Sequence, residues 1–153
     1  MIFKRIRPPV DIIAPLIIEE IGAGNDVKIG VTGFSMYPLL RSESDMVILS
    51  KPENIKKLDV VFYKRPNGQY VLHRIIRKKG DVLSIAGDNE TELEHPVYVS
   101  DCIGKMTYYI RNGKKHSVNS ISYLLYCHFW KFIFPFRHIA VKAIMFIGKH
   151  RRK

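Results

Sequence analysis

A chain of 153 residues with 46% hydrophobic content and two cysteines predicts one domain that buries a core without disulfides or metals. Cys102 and Cys127 form no CxxC and no Cys/His cluster, which excludes a disulfide framework and a thiolate zinc site and points to a reducing compartment. The net charge of +11 is unevenly placed: all fourteen acids precede residue 111, and residues 111–153 carry ten Lys/Arg with no acid. A near-neutral body with a basic tail implies an anionic surface as partner. The aromatic and aliphatic content of that tail favours lipid over nucleic acid.

In chain order, MIFKRIRPPVDIIAPLIIEE breaks its apolar run at Pro15 and at two glutamates, so neither a secretory signal nor a membrane anchor is expected there. Residues 10–24 predict a short helix that begins near Pro15 and ends at Gly22 or Gly24. VKIGVT at 27–32 alternates apolar and small or polar residues with the period of a strand. Further strands are expected at 46–50, 59–64, 69–77, 81–86 and 102–110, with turn chemistry at Pro66-Asn67-Gly68, Gly80-Asp81 and Asn112-Gly113. Consecutive short strands with tight turns predict antiparallel pairing in a partly closed β barrel or coiled sheet.

From about Asn119 the pattern turns helical: ISYLLYCHFWKFIF, then Pro135, then FRHIAVKAIMFIG. Pro135 should kink or end the first helix. Two helices packed on the barrel, an interfacial anchor and a kinked span are all readings of this segment. A span would place Lys131, Arg137 and Lys142 near the bilayer centre at about 2.5–3.5 kcal/mol each. The interfacial reading is favoured, with Trp130, Lys131, Arg137, Lys142, Arg151 and Arg152 at the membrane surface. The domain division follows: 1–118 as the body, 119–153 as a basic aromatic appendage.

Three residues suggest chemistry. Ser35, in VTGFSMYPLL, follows a strand at a point where Gly33 lets the backbone bend, and Pro38 would open a helical turn whose free N–H groups could face an oxyanion. His73 lies within QYVLHRIIR on the face of Val71 and Ile75, where burial would keep it neutral, as a general base requires. Asp88 ends the next strand in Gly-Asp-Asn. Each also has a plain structural reading: a turn cap, a core histidine and an Asx-turn respectively.

The ordered set narrows this. VTGFSMYPLLRSESDMVIL resembles the nucleophile box of type I signal peptidases, G-x-S-M-x-P followed by an acid and an apolar strand. KKLDVVFYK resembles the family's next strand, with Leu58-Asp59 where Gly-Asp is usual. VLHRIIRKKGD resembles the general-base box in its histidine form, known from endoplasmic-reticulum and archaeal-type enzymes. SIAGDNETELEHP and CIGKM resemble the last two boxes. All five fall in order within 27–106, and the chain is similar to a group of Gram-positive bacterial relatives without the N-terminal anchor.

The resemblance implies a mainly β fold, a signal-peptidase/SOS-repressor-like coiled antiparallel barrel with a short N-terminal helix and C-terminal amphipathic helices. It implies Ser35 as nucleophile and His73 as base, with an oxyanion hole from the Ser35 N–H and a group near Gly33. Met36 would pack in the core or substrate cleft. The orienting acid stays divided between Asp88, which matches the Gly-Asp-Asn aspartate, and Glu94, six residues on. The implied activity is serine endoproteolysis through an acyl-enzyme, without metal or cofactor. The family works on the outer face of the membrane, but with no anchor expected here the charge map fits better a bacterial protease peripheral on the cytoplasmic face, acting on leader-type peptides or small membrane proteins. Two rivals remain: a self-cleaving repressor-like protein, and a non-catalytic barrel that binds membrane or nucleic acid through its tail.

Overall fold

In the computed structural model, which describes residues 8–150, the chain is mainly β. Helix α1 (Val10–Gly22) is followed by strands β1 (Val27–Gly30), β2 (Met46–Ser50), β3 (Val60–Lys64), β4 (Tyr70–Lys79), β5 (Val82–Ala86), β6 (Glu94–Tyr98), β7 (Cys102–Arg111) and β8 (Lys114–Ser117). Two helices close the chain, α2 (Ile121–Phe132) and α3 (Arg137–His150), with a short 3-10 turn at Phe134–Phe136 between them. All strand pairs are antiparallel, in the order β1-β2-β7-β3-β4-β5-β6. Strand β8 lies beside β7 at Tyr108–Arg111, beyond the Cys102–Lys105 stretch that pairs with β3.

The strand period separates two cores. Val60 and Phe62 of β3 face a larger cluster with Ile17, Ile21, Met36, Leu40, Val47, Leu49 and Met106. Val61 and Tyr63 face a smaller one with Ile75, Leu83, Ile85 and Val97. Burial on both faces explains the unbroken apolar run VVFY, where period two alone would leave one face wet. Helix α1 docks on the larger core where Gly104 leaves room: a Cβ there would meet Ile21 Cδ1 at 2.8 Å.

Two expectations about the elements are corrected. Helix α1 starts at Val10 rather than near Pro15, which sits inside it on the exposed side. The missing Pro15 N–H forfeits one helical bond to Asp11, and burial of Ala14, Ile17 and Ile21 outweighs that loss. Strands β6 and β8 were not expected. EHPVY carries a proline and lies on an edge, where an N–H can be spared, so its sequence hides its pairing with β5.

The C-terminal segment changes more. Ser120 caps α2 by accepting from the Tyr123 N–H at 3.3 Å. Tyr123 and Cys127 then join the larger core, and Trp130 is only 2% exposed. Beneath them lies a fully buried ion pair. Arg74 donates from Nε and Nη2 to the two carboxylate oxygens of Asp88, both at 2.8 Å, while Nη1 reaches Leu58 O, the Tyr123 hydroxyl and Cys127 Sγ. Asp88 also accepts from the Tyr126 hydroxyl at 2.9 Å, and its backbone oxygen accepts from Trp130 Nε1 at 2.8 Å. Burial lowers the Arg74 pKa, but Asp88 outweighs it and raises the guanidinium well above its ordinary value.

Trp130 and Arg137 therefore do not face a membrane, contrary to expectation. Arg137 is buried, donating from Nη1 to Gly87 O at 2.7 Å and Glu90 O at 3.1 Å. Its burial pushes the guanidinium down to about 10. Lys131 and Lys142 are exposed, whereas Arg151 and Arg152 lie outside the described residues. No described helix is long and apolar enough to cross a membrane. The inner side of α2 and the Arg137 side chain thus pack on the body, while Ile139, Phe146 and Ile147 of α3 stay exposed.

Because half a buried ion pair leaves an uncompensated charge, Asp88→Ala is expected to cost about 3–5 kcal/mol of unfolding free energy. Urea titration checks this, and the paired Arg74→Leu/Asp88→Leu variant should lose far less.

Candidate active site

Ser35 begins a run of turns over 35–39 just beyond β1, after Gly33 has taken a left-handed φ of +76°. Turns replace the expected helix start at Pro38. The end of the segment is held by Arg111, whose Nη2 donates to Leu39 O, and Asp45 fixes that guanidinium by accepting from its Nε and Nη2 while also accepting from the Arg41 N–H. From the other side it is gripped by the 87–90 turn that follows β5. The Asn89 N–H donates to Ser35 O at 2.8 Å, and Asn89 Nδ2 donates to Phe34 O at 3.2 Å. A Cβ on Gly87 would come within 2.4 Å of Ser35 O, so only glycine permits this approach.

His73 meets the same turn from β4. Its ring is 1% exposed. Nδ1 lies 3.1 Å from Glu94 Oε1, so Nδ1–H donates to that carboxylate and Nε2 keeps its lone pair. Nε2 faces Glu90 Oε2 at 3.7 Å, and that same oxygen accepts from the Gly87 N–H at 3.1 Å. Burial lowers the His73 pKa and the carboxylates of Glu90 and Glu94 oppose it, leaving the imidazole below its ordinary value. Ser35 and His73 therefore flank one four-residue turn. The Ser35 hydroxyl itself makes no hydrogen bond among the described residues, and Glu90 stands at the Nε2 edge where a serine donor is expected.

The acid that orients the imidazole is Glu94, not Asp88. Both Asp88 carboxylate oxygens are committed to Arg74, on the far side of the turn. Glu94 in turn is gripped by Arg65, whose Nε donates to Oε2 at 2.9 Å and whose Nη2 donates to Oε1. Burial pushes Glu94 up, but Arg65 and the neighbouring Tyr63 outweigh it and hold the carboxyl below its usual range. Arg65 had no signal in the sequence beyond its place before the Pro66-Asn67-Gly68 turn. That turn folds it back across β3–β4 toward β6, a strand that was itself unexpected.

His73, Glu90 and Glu94 bring ligand-type atoms within 4.8 Å of one another. The carboxylates address opposite ring nitrogens and each already accepts an N–H, a geometry that clamps an imidazole rather than converging on one ion. Beside Ser35 a cleft of about 120 Å³ is lined by Ile29, Val31, Gly33, Met36, Tyr70 and Leu72. Met36 and Gly33 thus border the cleft, with Met36 also buried in the larger core.

Comparison with family models, with curated proteins and with solved structures gives no match.

Between the unfolded pKa of about 6.5 and the lower folded value, the unfolded chain binds more protons at His73. Stability is therefore expected to fall as pH drops below about 6.5 and to level off, for this group, beneath the folded pKa. Glu94→Gln removes a charge that favours imidazolium, so an NMR titration of His73 should move to still lower pH.

Proposed function

We propose that the chain is a serine endopeptidase with a signal-peptidase-like coiled barrel, in which Ser35 attacks and His73 takes its proton. The observation that carries this reading is the shared turn: residues 87–90 bind the Ser35 backbone and border the His73 ring whose other edge is held by Glu94. A buried, neutral imidazole with its proton fixed on Nδ1 is poised to accept at Nε2. Glu94 would stabilise the imidazolium that forms, and Arg65 would keep Glu94 in place. Attack by Ser35 Oγ on a peptide carbonyl gives an acyl-enzyme and releases the amine, which leaves with the proton from His73. Water then hydrolyses the ester.

Substrate features follow from the cleft. Among the described residues, strand β1 (Val27–Gly30) pairs with β2 and with no second strand, and we take its other edge as the place where an extended peptide adds as a strand. A cleft of about 120 Å³ suits small side chains next to the scissile bond. Leader peptides or small membrane-associated proteins fit such a site. The exposed lysines and apolar residues of α2 and α3 support action at an anionic membrane surface, and we place it on the cytoplasmic face of a bacterial membrane.

The competing reading is a non-catalytic sheet protein, and its support is Glu90 at His73 Nε2 in place of the Ser35 hydroxyl. An acyl-forming active-site probe separates the two. Wild type should be labelled at Ser35, with labelling rates reduced at least ~10³-fold in Ser35→Ala and His73→Ala and ~10²–10⁴-fold in Glu94→Gln. Equal labelling of all four proteins, or none of wild type, would defeat the peptidase reading.

Labelling should also fall as pH drops through the His73 pKa, because the imidazolium has no lone pair to give. A rate that stays flat from pH 8 to pH 4 contradicts His73 as base.

A further inference from the structure

Helix α2 is apolar on two opposite sides. At about 100° per residue, Tyr123, Cys127 and Trp130 form the side buried against the body. Ile121, Leu125, Phe129 and Phe132 form a second stripe roughly opposite, all exposed, Phe132 at 84%. A helix that merely covers a core carries polar residues there. Lys131 and His128, both exposed, lie between these two sides of the helix.

At that edge lies a cleft of about 630 Å³, between the 56–60 segment, strand β7 and α2. Its lining includes Lys56, Lys57, Lys105 and Lys131 against two carboxylates, Asp26 and Asp59. Asp59 is already engaged, by the Lys56 N–H at 2.8 Å and by Lys105 Nζ at 3.8 Å. Lys57 and Lys131 line the same opening from separate elements, and the side-chain contact with Lys131 first, then its charge, burial and the charge of Arg77, lower the Lys57 pKa. Two ammonium groups converging from separate elements are repulsive until an anion lies between them. This cleft shares no lining residue with the one beside Ser35.

We propose that this cleft binds the phosphate of an anionic phospholipid headgroup between Lys57 and Lys131, while the outer stripe of α2 enters the interface beside it. Each half answers a need of the other. The stripe alone would sit on any bilayer, and the lysines alone would bind any polyanion. Together they select a phosphate that has acyl chains next to it. The lipid site thus draws on the body as well as the tail, and Trp130, on the inner side of α2, and Arg137, buried against the 87–90 turn, take no part. It deepens the membrane reading above but does not depend on Ser35 being a nucleophile.

The test is sedimentation of the full chain with phosphatidylcholine vesicles, with and without 30% phosphatidylglycerol, at 0.1 M salt. Phosphatidylglycerol should tighten binding at least tenfold. Lys57→Ala/Lys131→Ala should lose at least tenfold on the anionic vesicles only, and Phe129→Ser/Phe132→Ser should lose binding to both kinds. The charge-matched Lys28→Ala/Lys79→Ala pair should bind within twofold of wild type. Thermal melts of the variants establish that each is folded. An equal loss in the charge-matched pair overturns the proposal in favour of diffuse attraction, as does unchanged binding in Lys57→Ala/Lys131→Ala. Millimolar inorganic phosphate or a short DNA duplex that binds at Lys57 and Lys131 while vesicles do not would replace lipid with a free anion or a nucleic acid. If vesicle binding behaves as proposed but the Ser35 probe fails, the lipid site stands and the peptidase reading falls.

Discussion

Everything around the candidate site hangs on the buried ion pair of Arg74 and Asp88. A guanidinium and a carboxylate removed from water cost several kcal/mol each unless every donor and lone pair is met, and here nearly all are. Two parallel bonds join the pair, and Leu58 O, Tyr123, Cys127, Tyr126 and Trp130 complete it. The pair thereby fixes the 87–90 turn from one side and recruits α2 from the other. Arg137 adds a second clasp on the Gly87 and Glu90 carbonyls. The turn so held is the one that grips the Ser35 backbone.

Three acids close in sequence serve distinct ends because their surroundings differ. Asp88 is sealed in the protein and neutralises Arg74. Glu94 is half-buried, held by Arg65, and sets the tautomer of His73. Glu90 lies at the more open Nε2 edge, where its carboxylate accepts from the Gly87 N–H. In the proposed mechanism Glu90 must yield that edge to the nucleophile. Its side chain is 37% exposed, so the movement leads into solvent and not through a packed core.

The C-terminal helices show how one apolar sequence can satisfy two environments. The aromatic richness of 119–136 reads equally as membrane anchor or as core, since both bury hydrocarbon. The structure divides it by angle around α2: Tyr123, Cys127 and Trp130 inward, Leu125, Phe129 and Phe132 outward. The charges divide the same way. Arg137 turns in to backbone carbonyls, while Lys131 stays out beside the lysines of the 56–57 segment.

By itself the amino-acid sequence determined the strands whose period is strong, the turns at Asn67-Gly68 and Asn112-Gly113, and the nomination of Ser35, His73 and the two rival acids. Those are local properties: alternation, left-handed backbone positions and spacing along one chain. Only the tertiary structure decided which acid reaches His73, because that depends on β6 pairing with β5 and on Arg65 folding back over it. It also decided that Trp130 and Arg137 are internal. Whether a tryptophan or an arginine faces lipid or protein depends on what stands opposite, and here Asp88 and the carbonyls of its turn, some forty to fifty residues earlier in the chain, supplied the partners.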